Sequence, residues 1–435
     1  MNTKILSIFP ITAKVGDDGC LSIGDVDITS LVAQYGTPLY VYDENTLRYM
    51  CQEYQNLFAK ELPDVAVAFA GKAFMCKALA TLLEEEGLSL DIISQGELAM
   101  AVAGGFNPKR MYLHGNNKTI DELTDALLAG VGYIVADGFD DLQNINDVAA
   151  ALNKKASVLL RLTPNVDPHT HRFIITGQAD SKFGFALHMA EQACCQALAM
   201  PYIDLHGFHC HIGSQIMETE PFVQTVQNVM PICAKAVHEW GVNLRRFNLG
   251  GGYAIAYNEQ DKLPNYKEYV TAVCDEIKKQ CQLLHINIPA ITIEPGRSLV
   301  GRAGVALYTV GNIKERQNGS LYIAVDGGMG DNIRPAMYEA KYLAAVANNM
   351  LAVPSREVSI AGRFCESSDI LIHNIKMPLL KRGDIIAVPA SGAYSVPMAS
   401  NYNGMARPAI VFVKDGHAKL VRRRETIEDL LKCEI

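Results

Sequence analysis

Glu294-Pro295-Gly296-Arg297 closes the apolar run Ile288-Pro-Ala-Ile-Thr-Ile293 and sets a carboxylate, a close backbone approach and a guanidinium at one strand end. A carboxylate can hold a ring nitrogen protonated, backbone N–H groups beside a glycine can reach phosphate oxygens, and an arginine can grip a carboxylate with two parallel hydrogen bonds. The set suits an aromatic, phosphorylated cofactor. It equally suits an ordinary turn, because Pro and Gly after a strand are common turn chemistry. The choice rests on what ends the other strands.

The run Phe69-Ala-Gly-Lys72-Ala-Phe74 places a lysine among apolar neighbours. Desolvation there would lower its proton affinity, as an amine that attacks an aldehyde requires. A lysine at a helix start pointing into water is the competing reading. In His206-Gly-Phe-His209-Cys-His211-Ile-Gly-Ser214, strand alternation would put His209 and His211 on one face, as in a two-histidine metal site. No third-ligand motif accompanies them and no metal is expected. A core histidine satisfied by backbone is the favoured reading for His209, while an imidazole can also stack on a cofactor ring. Leu249-Gly250-Gly251-Gly252-Tyr253 lacks the GxGxxG spacing of a dinucleotide site, and three glycines can simply make a turn.

These clusters end short apolar runs that alternate with amphipathic ones. Strands are expected at Val65–Ala70, Leu88–Ile93, Met111–His114, Tyr133–Ala136, Val158–Leu162, Ile203–His209, Arg246–Leu249 and Ala290–Ile293. Helical patterns fall between them, as at Lys77–Glu86, Asp140–Leu152 and Glu220–Glu239. This predicts a (β/α)8 TIM barrel with its site at the C-terminal strand ends, where the loops after strands seven and eight commonly take phosphate. Beyond Gly304 the texture becomes antiparallel β, with alternating runs split by Gly, Asp and Pro. The expected organisation is a barrel over residues 40–300 and a discontinuous β-domain from residues 1–39 and 301–435. The polar stretch of His169-Thr170-His171, Thr176-Gly177 and Ser181-Lys182-Phe183-Gly184 is expected to form an ordered flap after the fifth strand.

Bulk properties narrow the function. A chain of 435 residues with 49% hydrophobic and 20% charged content is globular and large enough for two domains. A net charge of −8 argues against nucleic acid or an acidic membrane as partner. The cysteines show no CxxC and no regular framework, which fits a reducing cytosol. No stretch reads as a secretory signal or a spanning helix.

Taken together, FAGKAF at Phe69–Phe74, HCHIGSQI at His209–Ile216, LGGGY at Leu249–Tyr253, EPGRSLVG at Glu294–Gly301, VDGGMGDNIRPAMY at Val325–Tyr338 and CESSD at Cys365–Asp369 are recognisable. In that order they resemble the diaminopimelate decarboxylases. These belong to the fold-type III pyridoxal-phosphate enzymes, with ornithine decarboxylases and alanine racemases. The likeness runs from Pro38 to Pro408. It implies the alanine racemase type of barrel and a carboxy-lyase that turns meso-2,6-diaminopimelate into L-lysine and carbon dioxide.

The resemblance also implies roles. Lys72 carries pyridoxal 5'-phosphate covalently, His211 stacks on its ring and Glu294 pairs with its nitrogen. Ser214, Gly252, Gly296, Arg297 and Tyr394 serve the phosphate. Arg297, Arg334, Tyr338, Glu366 and Tyr394 contact substrate, and Cys365 is the proton donor, supplied by the other subunit of a homodimer with shared active sites. Ser368 stands where the family more often has Gly, which bears on loop conformation only. Arg334 could instead be a surface ion-pair partner. Rival readings are a decarboxylase of ornithine, arginine or carboxynorspermidine and a non-catalytic binding protein on the same scaffold.

Overall fold

The computed structural model describes residues 5–167 and 182–435, so residues 169–181 of the expected flap lie outside the described residues. The chain divides into two compact units. One comprises Cys51–Ala254 with Pro264–Arg297; the other comprises Met1–Met50, Ile255–Leu263 and Ser298–Ile435.

The first unit is the barrel. Its strands are β1 (Val65–Ala70), β2 (Ser89–Ile92), β3 (Met111–Leu113), β4 (Tyr133–Ala136), β5 (Ala156–Thr163), β6 (Ile203–Cys210), β7 (Arg246–Asn248) and β8 (Ala290–Ile293). Each pairs in parallel with the next, β8 pairs with β1, and the circle is closed. Buried β-branched and aliphatic runs make such strands, and the helices between them cover the outer face. Helix Ile120–Ala129 shows how local chemistry sets a boundary: Thr119 and Glu122 form a capping box, and Gly130 ends the helix in the left-handed region at φ 79°.

The barrel interior is filled rather than hollow. Ala68, Tyr112, Val135 and Leu159 pack together, Tyr112 stacks on Tyr133 at 4.8 Å, and Arg246 lies over the Tyr133 ring at 5.3 Å. The Tyr112 and Thr292 hydroxyls meet at 3.1 Å. Strand side chains repeat every second residue, so His114 and Glu294 stand one layer above that floor, toward the C-terminal mouth. In β6 the register shifts between Leu205 and Gly207. A Cβ on Gly207 would lie 2.0 Å from the Arg246 carbonyl oxygen, so only glycine fits there.

The second unit is built on a sheet in the order Ile370–Met377, Arg356–Ala361, Leu321–Val325, Gly304–Glu315, Leu39–Asp43, Ala409–Lys414 and His417–Arg422. Ile385–Val388 pairs with the long Gly304–Glu315 strand as well. Antiparallel pairing dominates, as the alternation suggests, but two pairs are parallel: Leu321–Ala324 with Val358–Ala361, and Leu39–Asp43 with Ala409–Val413. In both, the partners are separated by a long stretch of chain, which parallel pairing requires. The unit takes in Leu39–Asp43 and helix Glu44–Ala59 as far as Met50, because that strand hydrogen-bonds within this sheet. Its core gathers Leu39, Val41, Val305, Leu307, Ala387, Val411 and Val413, all buried.

Candidate active site

Glu294 follows β8 and is buried at the barrel mouth. Asn248, the last residue of β7, donates its Nδ2–H to Glu294 Oε1 at 2.6 Å and accepts the Gly250 N–H on Oδ1 at 2.8 Å. His209 Nε2 lies 3.2 Å from Glu294 Oε2. His114 Nε2, one residue beyond β3, lies 3.0 Å from Oε1, and the contact is an ion pair rather than an aligned hydrogen bond. Burial pushes the Glu294 carboxyl upward, yet the His114 and His209 imidazoles beside it outweigh burial and hold the group well below the usual carboxylate range.

Both imidazoles thus face carboxylate oxygens. The hydrogen-bond partner of His209 is a side chain and not backbone, and its Nδ1 has none, which corrects the expectation from sequence. Nor do His209 and His211 form a pair: β6 ends at Cys210, and His211 Nδ1 accepts the Gly251 N–H at 3.2 Å. Burial, followed by the charges of Lys72 and Arg161, drives His211 well below the ordinary histidine value, so its ring is neutral.

The glycine loop is pressed against this carboxylate's own backbone. Glu294 N–H donates to the Gly250 carbonyl at 2.7 Å, and a Cβ on Gly251 would come within 2.0 Å of the Glu294 carbonyl oxygen. Gly252, at φ 123°, accepts the Ile216 N–H at 2.9 Å, tying the loop to the turn that carries Ser214. Arg297 is buried and donates from Nη2 and Nε to Ser214 Oγ, at 2.9 and 3.3 Å. At Gly296 a Cβ would lie 3.0 Å from that of Ala70 and 3.2 Å from that of Ala73, the residue after Lys72. Lys72 is half-buried in the single turn Gly71–Ala73 that follows β1. Its charge acts on Asp91 and Glu97.

These residues fit pyridoxal phosphate on the chemistry of the donor set. An amine, a buried carboxylate held ionised, a neutral imidazole and glycines without side chains line the strand ends of one barrel.

Several of the buried polar residues gave no signal in the sequence. Asp91, at β2, has an oxygen 3.6 Å from His114 Nε2. Arg161 on β5 pairs with Asp137 at 3.3 Å, and Asp137 also accepts the Gly184 N–H at 3.0 Å. Lys118 and Asp141 form a further buried pair at 2.6 Å. A charged residue at the C-terminal end of each of several strands is the usable signal, but alternation alone does not say which strands become neighbours.

In the other unit, Arg334 begins the short helix Arg334–Tyr338 and is 6% exposed, so it is no surface ion-pair partner. Its Nη1 donates to the Tyr257 hydroxyl at 2.9 Å and to that of Tyr342. Tyr338, at the helix end, is half-buried. Tyr394 is half-buried with φ 59°, a conformation costly for a tyrosine and typical of functional segments. Cys365 and Glu366 are exposed on a loop. That loop is anchored: Asp369 accepts the Phe364 N–H at 2.8 Å and the Met329 N–H at 2.7 Å, while Asn403 accepts the Cys365 N–H at 2.9 Å.

Comparison with known proteins agrees with this geometry. Residues 49–301 match the family model described as the pyridoxal binding domain of pyridoxal-dependent decarboxylases. With a lysine after β1 and a buried carboxylate after β8, the chain is by this match a pyridoxal-dependent decarboxylase. The diaminopimelate decarboxylase of Bacillus subtilis is 46% identical over 98% of this chain and 97% of its own. The structure of the M. jannaschii diaminopimelate decarboxylase with L-lysine superposes with a TM-score of 0.92 at 34% identity, covering 98% of both chains. That from Helicobacter pylori, also complexed with L-lysine, gives 0.86 at 29% identity, over 93% of this chain and 98% of the other. The chain belongs to the diaminopimelate decarboxylase family.

Proposed function

We propose that this chain decarboxylates meso-2,6-diaminopimelate to L-lysine and carbon dioxide with pyridoxal 5'-phosphate, the last step of lysine biosynthesis. The observation that carries the reading is Glu294, a buried carboxylate held ionised beside a neutral, stacking-competent imidazole at the mouth that also bears Lys72. When bound, the cofactor supplies an electron sink for the pair left on the α-carbon as carbon dioxide departs.

The protein's own residues do the rest. Lys72 would hold the cofactor covalently and is the amine that the substrate amine would replace. Glu294 would keep a proton on the ring nitrogen and His211 would stack on the ring, its own orientation fixed by the Gly251 N–H. Ser214, Gly252, Gly296, Arg297 and Tyr394 hold the phosphate. The Cys365 thiol gives its proton to the α-carbon after carbon dioxide has left, and the resulting thiolate recovers one from solvent.

Diaminopimelate carries an amino acid group at each end, so the site must grip the end that does not react. Arg297, Arg334 and Tyr338 serve its distal carboxylate and Glu366 its distal ammonium. Ornithine has no distal carboxylate, and a buried arginine held by two phenols favours a substrate that has one. The anchored Cys365 loop acts in a homodimer with shared active sites. All of the cysteines are free thiols, which supports a reducing cytoplasm. Among the described residues no helix is long and apolar enough to cross a membrane. Incubation with meso-diaminopimelate should yield L-lysine and carbon dioxide in equal amounts; turnover of ornithine alone would contradict the proposal.

A further inference from the structure

Arg334 is a buried cation with no acidic partner among the described residues. A buried charge left unpaired is costly, so a cation kept in this state points to an anion from outside the chain. Its side-chain partners are neutral: Nη1 donates to the Tyr257 hydroxyl at 2.9 Å and to the Tyr342 hydroxyl. That nitrogen carries two hydrogens, so both are used and the Nε–Nη2 edge is left. Among the described residues this edge has no hydrogen-bond partner, and it is not sealed from solvent. Two N–H groups side by side match the two oxygens of a carboxylate.

From this geometry we infer that Tyr257 and Tyr342 are positioning residues that set substrate specificity: their hydroxyls hold one nitrogen of Arg334 and so turn the Nε–Nη2 edge toward the distal carboxylate of the substrate. The inference rests on the proposed part of Arg334 in binding diaminopimelate.

A phenol suits this task because its oxygen accepts an N–H without bringing a charge. A carboxylate in the same place would fix the guanidinium as firmly but neutralise it, and an incoming anion would gain less. The two rings also stand 5.1 and 5.6 Å from the guanidinium carbon, close enough for their π-systems to favour the cation. The charge is thus held in place and left for the substrate.

The phenols are themselves fixed. Both are buried, and their rings pack edge to face with centroids 5.3 Å apart and planes at 86°. The Tyr257 N–H donates to Asp261 Oδ2 at 2.8 Å, which ties down its backbone. Tyr342 follows the short helix that Arg334 begins, and the Ala340 N–H donates back to the Arg334 carbonyl at 3.4 Å. All three residues belong to one compact unit.

The test is Tyr342→Phe, which removes the hydroxyl and keeps the ring, assayed as holoenzyme; Tyr257→Phe answers the same question should that variant fail to fold. The expected result is a rise of roughly ten-fold in KM for diaminopimelate with kcat within about two-fold of the parent. Two inhibitors give a readout that a merely structural role would not move. L-Lysine keeps the distal carboxylate, whereas cadaverine is the same chain without it. The inhibition constant of L-lysine should rise in step with KM and that of cadaverine should stay unchanged. An unchanged KM, or an equal loss of both inhibitors, overturns the inference. Arg334→Met in the same assay separates the two levels. A raised KM there beside an unchanged one in the phenylalanine variants refutes only the positioning role, whereas an unchanged KM in Arg334→Met refutes the reading beneath it.

Discussion

Replacing Arg334 with Met tests the substrate assignment with a magnitude that follows from its surroundings. The guanidinium is buried and held by the hydroxyls of Tyr257 and Tyr342, with the two rings 5.1 and 5.6 Å from its carbon. Burial lowers its proton affinity and the two phenols more than restore it, so the charge is permanent. Methionine fills similar volume but offers no donor. Removing one partner of a buried, hydrogen-bonded charge pair costs about 2–5 kcal/mol, a loss of roughly 30-fold to several thousand-fold in kcat/KM. The fall should appear chiefly in KM for diaminopimelate, because the distal carboxylate does not take part in bond breaking. Two phenols left without their donor partner cost stability as well, about 1–3 kcal/mol each at most. Steady-state kinetics at saturating cofactor, with the cofactor dissociation constant and a thermal melt measured in parallel, separate these effects. An unchanged KM in a folded variant would remove Arg334 from the substrate site. A weakened cofactor with unchanged KM would move it to a different role.

Cys365→Ala should keep cofactor affinity and, at an exposed position, leave stability within about 0.5 kcal/mol, while slowing turnover strongly; near-native turnover would refute the proton-donor role. Gly251→Ala drives a methyl into the Glu294 carbonyl, so it should cost at least about 2 kcal/mol in denaturant unfolding and weaken cofactor binding with it; a variant as stable as the parent would show that the loop can move aside. Asp331 accepts hydrogen bonds from Tyr308 at 2.6 Å and the Gly328 N–H at 3.1 Å, and burial raises it to about 7. A carboxyl raised on folding stabilises fully below its unfolded value, about 4, and loses that contribution as pH climbs toward its folded value. Asp331→Asn should therefore flatten the pH dependence of the melting temperature between about pH 4 and 7; an unchanged slope would assign that dependence elsewhere.

The barrel was legible because each buried parallel strand is a short apolar run bounded by turn residues and followed by an amphipathic helix. In the sheet unit the strand Ile370–Met377 is not legible in the sequence. Its alternation is broken at Asn374, where φ is 47°, and the register against Arg356–Ala361 shifts twice. A bulge of this kind erases the period that reveals a strand. Helix Glu44–Ala59 has no legible start, since strand Leu39–Asp43 runs straight into it and Asp43 itself accepts the Thr46 N–H at 3.0 Å. No separate turn marks the boundary. At the site, Lys72, His211, Ser214 and Glu294 stand in motifs that can be read locally. Asp91, His114 and Asn248 acquire meaning only across the barrel, from strands whose contact with Glu294 no local pattern encodes. His209 was misassigned for the same reason: its partner lies on β8.

The account depends most on the amine of Lys72 holding the cofactor. Freshly isolated protein reduced with borohydride, digested and mapped by mass should carry a stable pyridoxyl adduct on the peptide containing Lys72. An adduct on another lysine, or none in protein that retains its cofactor absorbance, would contradict it.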